Sequence, residues 1–414
     1  MKLDLGQISA ISRAEKFLKS DDQVLYIAGP AGVGKTTIAK EIAKRCDGVV
    51  MYGAYTGKAA SVLQRKGCTG ATTLHRMFYR PKPKSEAKLV ELKTKLADLQ
   101  TAQATQPSPD RQSEIKRVEA LVTEETKRLR RPGFSLNDDP DSEVRKAACI
   151  IIDEVSMVDE QMGSDILKVA KKVIVTGDPY QLPPVGGGGY FTSRTPDIML
   201  DTVHRQGADS PILDLATRIR QGQGPQFGEW PGLRVLPRSD ARVRQLCLDA
   251  DQMIIGLNDT RKAANATHRE IRGFTGPLPV VGDRLVSLKN NHEYGIYNGT
   301  VWHVTEVGDI VGKNEKHDNR AIELTVRSDD DPGVEVPVLA GVNIFEGADP
   351  PPGRDKDDPE SFYYGYAITC HKAQGSEWRK VYVLDQSRYF RNDWSKWLYT
   401  AVTRASEDLT LVLP

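Results

Sequence analysis

Three groups of side chains in this chain have the types and spacing to act on a phosphoanhydride. The first is Gly29-Pro30-Ala31-Gly32-Val33-Gly34-Lys35-Thr36-Thr37, placed between the apolar run Val24–Ala28 and a helical pattern from Ile38 to Arg45. G-x-x-x-x-G-K-[ST] between a strand and a helix is the spacing of a phosphate cradle. Its glycines let backbone N–H groups turn toward phosphate oxygens, and the helix start adds partial positive charge. Lys35 is placed to reach the β- and γ-phosphates, and the Thr36 hydroxyl to hold Mg²⁺. The second group closes the apolar run CIIIDE: Asp153 to hold metal, Glu154 to activate water. The third follows the run Lys172–Thr176 as Gly177-Asp178-Pro179-Tyr180-Gln181, with the Gln181 amide as a sensor of the γ-phosphate. Two buried parallel strands would bring the second and third groups to one carboxyl edge, where open α/β sheets bind ligands. The chemistry is nucleotide hydrolysis. The bland alternative, a glycine-rich turn that binds nothing, leaves the lysine, threonine, strand and helix unexplained.

The elements that must position these groups read as α/β. The 414 residues suffice for two or three domains. Net charge is +1, so any nucleic-acid contact must come from a local groove and not a global basic field. Five scattered cysteines without a C-x-x-C pair argue for a reducing compartment and against zinc. No apolar run approaches the ~18–20 residues of a membrane span. The N-terminal segment lacks the apolar core of a signal peptide. A soluble cytoplasmic protein, associated with the nucleoid of a bacterial or phage-infected cell, is expected.

Residues 1–79 and 132–200 read as a first domain. Between them, 80–131 is charged and helical. Leu89, Leu92, Leu96 and Leu99, then Ile115, Val118 and Val122, follow 3-4 spacing around the break Gln106–Asp110. Narrow apolar seams of this kind predict an antiparallel helical hairpin. Residues 201–276 and 361–414 read as a second domain, with strands expected at Met253–Leu257, Ser361–Ile368, Val381–Leu384 and Leu409–Leu413. Residues 277–360 change to short strand-like runs with Asn298-Gly299 as a hairpin signal, which suggests a small β-barrel. A Pro-rich acidic loop, 346–360, follows it.

In order along the chain, GPAGVGKTT, TGKAASVL, TLHRMF, IIDEVSMVD, GDPYQLPPV, VHRQ, YAITCHKAQGSEW and YTAVTRASEDL resemble the motifs of superfamily 1 helicases, most nearly the B group of RecD-like and Dda-like enzymes. The resemblance implies two RecA-like P-loop NTPase domains with ATP and Mg²⁺ in the cleft between them. It implies a helical-hairpin insertion in the first domain and an SH3-like β-barrel in the second. Arg205 and Arg404 match arginines that reach the γ-phosphate from the second domain. Glu377 matches a ribose contact, and Gln7 a glutamine that reads adenine. Thr56, Lys58, Thr73 and His75 on the first domain, and Asn258, Thr369 and His371 on the second, match positions that touch the DNA strand. Tyr363, Tyr364, Tyr366 and Trp378 are either base-stacking groups or core. The implied activity is ATP-dependent, 5′-to-3′ unwinding by a monomer on single-stranded and forked duplex DNA, with replication or recombination proteins as partners. The alternative is a DNA-stimulated ATPase that clamps or remodels protein–nucleic acid complexes without separating strands.

Overall fold

The computed structural model describes residues 3–30, 32–81, 87–130, 134–183, 189–202, 210–291, 294–312, 320–350 and 358–414. Its first sheet is six-stranded and wholly parallel, in the order Thr72–Thr73, Val50–Ala54, Cys149–Asp153, Val173–Gly177, Val24–Ala28, Ile198–Met199. The three central strands are nearly continuously buried, which is why they read as unbroken apolar runs. Helix Leu5–Lys19 and helix Lys35–Ala43 cover one face through Ala10, Ile11, Ala14, Ile38 and Ile42. Helix Glu160–Val169 covers the other through Met162, Ile166 and Val169. The P-loop, Asp153 and Gly177 therefore leave the sheet at one edge.

The second sheet is also six-stranded: Ala367–Thr369, Gln252–Ile255, Trp378–Leu384, Ala405–Leu413, Leu233–Pro237, Gly228–Trp230. All its pairs are parallel except the last. Helices Pro211–Arg220 and Trp394–Val402 pack on it through Leu215, Ile219, Trp397 and Leu398.

The hairpin helices are Ala87–Thr105 and Pro109–Arg130. Along the first, Leu89, Leu92, Leu96 and Leu99 are half-buried while the positions between them are exposed. Ile115 and Val118 on the second are buried against them. Ion pairs Lys88–Glu125 and Lys95–Glu114 set the antiparallel register. At its base the two-stranded ribbon Tyr79–Pro81 and Phe134–Leu136 ties the insertion to the first domain.

The second insertion is a five-stranded antiparallel sheet: Glu335–Gly341, Ala321–Ser328, Val301–Val311, Arg284–Ser287, Phe362–Tyr364. Two expectations change here. The run Ser361–Ile368 is not one strand. It divides at Gly365 into Phe362–Tyr364, in the insertion's sheet, and Ala367–Thr369, in the second parallel sheet. Gly365 makes the crossing because its backbone lies against Leu285; an added Cβ would be 2.9 Å from the Leu285 carbonyl carbon. Asn298-Gly299 does turn the chain, with Gly299 at φ 88°, but the strands it was expected to join end at Ser287 and begin at Val301. Of the acidic loop, 351–357 lie outside the described residues.

A buried ion pair fastens the insertion to the second domain. Arg269 donates to both oxygens of Asp283, at 3.0 Å from Nε to Oδ1 and 3.1 Å from Nη2 to Oδ2. Asp283 is fully buried and also accepts from Val280 N–H and the Tyr366 hydroxyl, each at 2.9 Å. Removing one partner of such a pair leaves the other charge stranded. Asp283→Ala is expected to lower the unfolding free energy by about 3–5 kcal/mol. Denaturant unfolding followed by Trp302 fluorescence, from the insertion's core, checks it. A loss under about 1 kcal/mol would mean that Arg269 is satisfied by the Gly276 and Leu278 carbonyls alone.

Candidate active site and strand groove

A cavity of 560 Å³ opens between the two parallel-sheet domains. Gly32, Gly34, Lys35, Thr36 and Thr37 line it from the first domain, with Gly29, Pro30 and Val33 forming the loop behind them; Ala31 lies outside the described residues. Gly32 and Gly34 have φ of 87° and 83°, the left-handed region that favours glycine. Lys35 Nζ donates to the carbonyls of Gly29 at 2.8 Å and Pro30 at 3.0 Å. Gln7, expected to read adenine, packs against the phosphate loop. It is buried, closes a capping box with Asp4, and donates from Nε2 to the Val33 carbonyl at 3.1 Å. Its amide braces the cradle from behind, since a Cβ on Gly34 would sit 2.5 Å from Gln7 Nε2.

Asp153 and Glu154 line the same cavity. Asp153 Oδ1 accepts from the Thr176 hydroxyl at 2.6 Å and from Glu154 N–H at 2.9 Å, which fixes the carboxylate at the strand end. The pair does not continue as an extended strand. Glu154 is left-handed, at φ 55° and ψ 46°, and caps the short helical turn Val155–Met157. A non-glycine residue there is under local strain of about 1–3 kcal/mol, which the surrounding fold must hold. The kink turns Glu154 away from its neighbour. Burial first, and the charge of Asp153 second, raise the Glu154 carboxyl above its ordinary pKa; Lys35 and Arg404 oppose them. A carboxylate of raised pKa is a better proton acceptor.

Gln181 also faces this cavity, and its buried Oε1 has no partner among the described residues. The segment carrying it is gripped by the second domain. The Tyr399 hydroxyl donates to Asp178 Oδ2 at 2.6 Å. Leu182 N–H donates to the Thr400 hydroxyl at 2.8 Å, and Gln374 Nε2 donates to the Leu182 carbonyl at 2.7 Å. Leu182 belongs to the second domain's core. Asp178 is fully buried, and that burial raises its pKa. Asp178, Tyr399, Thr400 and Gln374 were not singled out from the sequence; their one signal was their position inside GDPYQL, YTAVTR and HKAQG.

Arg404 enters from the second domain. It is 4% exposed and donates to the Thr400 and Ser376 carbonyls, each at 3.0 Å, and to the Thr403 hydroxyl at 3.1 Å. Three of its five N–H groups are thus used on neutral acceptors that aim the guanidinium at the cavity. Glu377 stands exposed at the rim. Arg205 lies outside the described residues.

The oxygens fit Mg²⁺ held by one protein carboxylate, a hydroxyl and the phosphates of a nucleotide: Thr36, Asp153 and the substrate. Among the described residues no cluster of three or more His, Cys, Asp or Glu could hold a metal alone. The left-handed glycine cradle likewise fits a phosphate-bearing ligand, and the unpaired Gln181 oxygen fits a water that donates to it.

A second cavity, of 550 Å³, runs across both domains and the β insertion. It brings Thr56, Asn258, Thr369 and His371 together, with Tyr55, Arg261, Lys372 and Phe390, which the sequence reading missed. Thr56, Thr73 and Thr369 share one local design: each stands at or just beyond a strand end and caps a helix, accepting from a backbone N–H. That use leaves the hydroxyl proton free to donate outward. Thr73 is buried, and His75 is exposed beside the rings of Tyr55 and Tyr79.

Lys58, expected to touch the strand, stands between the two cavities. It lines both cavities, but its ammonium is buried and lies 3.3 Å from Asp330 of the insertion. The tyrosines are settled by helix Asn258–Ile271. Arg261 and Arg269 of that helix, with Arg272 at its C-cap, stack on Tyr363, Tyr364 and Tyr366 at 4.2, 4.2 and 4.6 Å. Tyr366 and Trp378 are buried; of the four aromatic residues, Tyr363 lines the groove.

Fold and site together define a P-loop NTPase of two RecA-like domains with a composite nucleotide cavity. A family model described as an AAA domain matches residues 2–231, more than half of the chain, and a UvrD-like helicase C-terminal domain model matches 364–412. The chain belongs to this AAA domain family. It is 27% identical over 286 residues to the ATP-dependent RecD2 DNA helicase of Deinococcus radiodurans, covering 62% of this chain and 35% of that one. It is 26% identical over 302 residues to the conjugal transfer protein TraA of Agrobacterium fabrum, covering 63% and 24%. The chain thus spans about a third or less of the length of these relatives. A Pif1 helicase from Candida albicans has the same fold, with a TM-score of 0.53 at 17% identity over 100% of this chain and 94% of that one. A Bacteroides Pif1 bound to single-stranded DNA gives 0.52 at 17% identity over 99% and 92%.

Proposed function

We propose that the chain is an ATP-driven motor that moves along single-stranded DNA, 5′ to 3′, and separates duplex ahead of it. The observation that carries this reading is the composite cavity: Lys35, Glu154 and Gln181 stand on one domain and Arg404 on the other, around one space. Lys35 and the cradle N–H groups bind the β- and γ-phosphates, and Thr36 with Asp153 would hold Mg²⁺, whose charge would offset that of the phosphates. Glu154 takes a proton from the attacking water, Gln181 orients that water, and Arg404 stabilises charge on the departing phosphoryl oxygens. Because Arg404 sits on a separate domain, hydrolysis requires the cleft to be closed. Gln181 and the segment gripped by Tyr399 and Thr400 pass the nucleotide's state to the second domain.

The second cavity is the strand groove. Thr56, Thr369 and Asn258 contact phosphates and sugars, which carry little sequence information, and Arg261, Lys372 and Tyr363 extend that contact. The β insertion is read as SH3-like; with the helical hairpin, it guides the strand and splits the fork. ATP turnover measured with and without single-stranded DNA, then strand displacement on 5′- and 3′-tailed duplexes, tests the reading. It expects DNA-stimulated turnover and displacement only from the 5′ tail. Stimulated turnover without displacement on either tail would leave a clamp or remodeller instead.

Lys372 adds a pH dependence. Burial first, and the charge of Arg261 second, lower its ammonium to about 8. The amine is charged below that value and neutral above it, and phosphate favours the charged form. Affinity for single-stranded DNA is therefore expected to fall as pH rises from 7 to 9, and Lys372→Arg to flatten that dependence. Fluorescence anisotropy with a labelled oligonucleotide at fixed salt measures it; an unchanged slope in the variant would remove Lys372 from the groove's contacts.

A further inference from the structure

One ion pair, between a buried lysine and an exposed aspartate, reaches from the first domain to the β insertion beside the nucleotide cavity. Lys58 lies in the first turn of helix Gly57–Arg65, and its ammonium is 3.3 Å from Asp330 Oδ2. At the far end of the same helix, Arg65 Nη1 donates to the Asp330 carbonyl at 3.4 Å. The insertion's Tyr297 covers the helix start so closely that a Cβ on Gly57 would lie 2.5 Å from its Cδ1. The turn bearing Asp330 is itself anchored: neighbouring Asp329 pairs with Arg284 at 3.2 Å and His303 at 2.8 Å. Trp378 of the second domain lies under the Lys58 ammonium, 5.2 Å from ring centre to nitrogen.

The position of this helix gives the pair its consequence. Thr56, its cap, lines the strand groove, and Val62, Leu63, Arg65 and Lys66 line the nucleotide cavity. Lys58 lines both, and Asp330 lines the nucleotide cavity opposite it. A buried ammonium must be paired or hydrated. Here the counter-charge comes from a different body of the protein, so Lys58 is satisfied without water only while the domains hold this arrangement. Opening the cleft must separate the pair and hydrate the Lys58 ammonium, since Asp330 already meets solvent.

We propose that Asp330 is a positioning residue of the nucleotide site: through Lys58 it fixes helix Gly57–Arg65 against the second domain and insertion, and so ties the strand groove to the closed cleft. The proposal rests on the ATP-site reading above. It makes the insertion a part of the nucleotide cycle as well as a guide for the strand.

The test uses the purified chain and Asp330→Asn, which keeps the side chain's shape and removes its charge. KM for ATP is expected to rise about tenfold, more than kcat changes, with a parallel loss of stimulation by single-stranded DNA. Amide hydrogen exchange across residues 57–65, measured without nucleotide or DNA, should quicken. Lys58→Glu should show the same defects, and Lys58→Glu combined with Asp330→Lys should recover KM toward the wild-type value. A KM and exchange pattern unchanged in Asp330→Asn would overturn the proposal. So would a double variant whose defects are the sum of the single ones, the result expected of a merely structural carboxylate. Lys35→Ala separates the two readings: if it turns over ATP normally the ATP-site reading fails, while the exchange data still judge the ion pair.

Discussion

Arg404→Ala lowers the ATP turnover number by about 10³–10⁵-fold, the range set by removal of a transition-state arginine from related NTPases. The expectation comes from where the guanidinium is held. Its three hydrogen bonds go to Thr400, Ser376 and Thr403, all on the second domain and all uncharged, so its charge is not neutralised before nucleotide arrives. ATP affinity should change far less than turnover, because the cradle and Lys35 belong to the other domain. Arg404→Lys should not recover the rate. A lysine cannot reproduce the planar fork that the Thr400 and Ser376 carbonyls aim. Single-turnover kinetics with the variant, beside its melting temperature, separate chemistry from folding. A turnover number within tenfold of the wild type would remove Arg404 from the reaction and leave it a structural tie between the strand Ala405–Leu413 and Ser376.

Glu154→Gln is the second large effect: a fall in kcat of about 10²–10⁴-fold with nucleotide binding kept. The amide keeps the side chain's shape and cannot accept the water's proton. In the wild type the base must be ionised, and burial together with Asp153 raises its pKa. Turnover therefore falls as pH drops through a value above the usual glutamate range, and the residual activity of Glu154→Gln should lack that acid limb. A pH–rate profile of both proteins at saturating ATP measures it. An acid limb of the same midpoint in the variant would assign the titration to another group.

Much of this site could be read from the sequence because buried parallel strands leave an unmistakable trace. Val24–Ala28, Cys149–Asp153 and Val173–Gly177 have both faces covered, so each is an apolar run that stops where its functional residues begin. The hairpin seam was legible for a similar reason: a two-helix contact buries only the 3-4 spaced positions. What stayed hidden depends on partners distant in the chain. Nothing near Lys58 announces Asp330, and nothing near Asp178 announces Tyr399. Glu154's left-handed backbone leaves no mark either, since an Asp-Glu pair is equally at home on an extended strand end. Gln7's place in a capping box was not legible either, since a glutamine near a helix start serves in either role. The tyrosine cluster was ambiguous until Arg261, Arg269 and Arg272 were seen to stack on it.

The order of strands in the second sheet also imposes an order in time. Ala405–Leu413 lies inside that sheet, between Trp378–Leu384 and Leu233–Pro237, and not at its edge. On a ribosome, the first domain's sheet is complete once Met199 has emerged, and with it the cradle and both carboxylates. The second sheet cannot join its halves until Leu413 follows. Arg404, immediately before that last strand, takes its place at the same moment. A nascent chain thus completes the cradle and both carboxylates before the strand that follows Arg404 can close the second sheet.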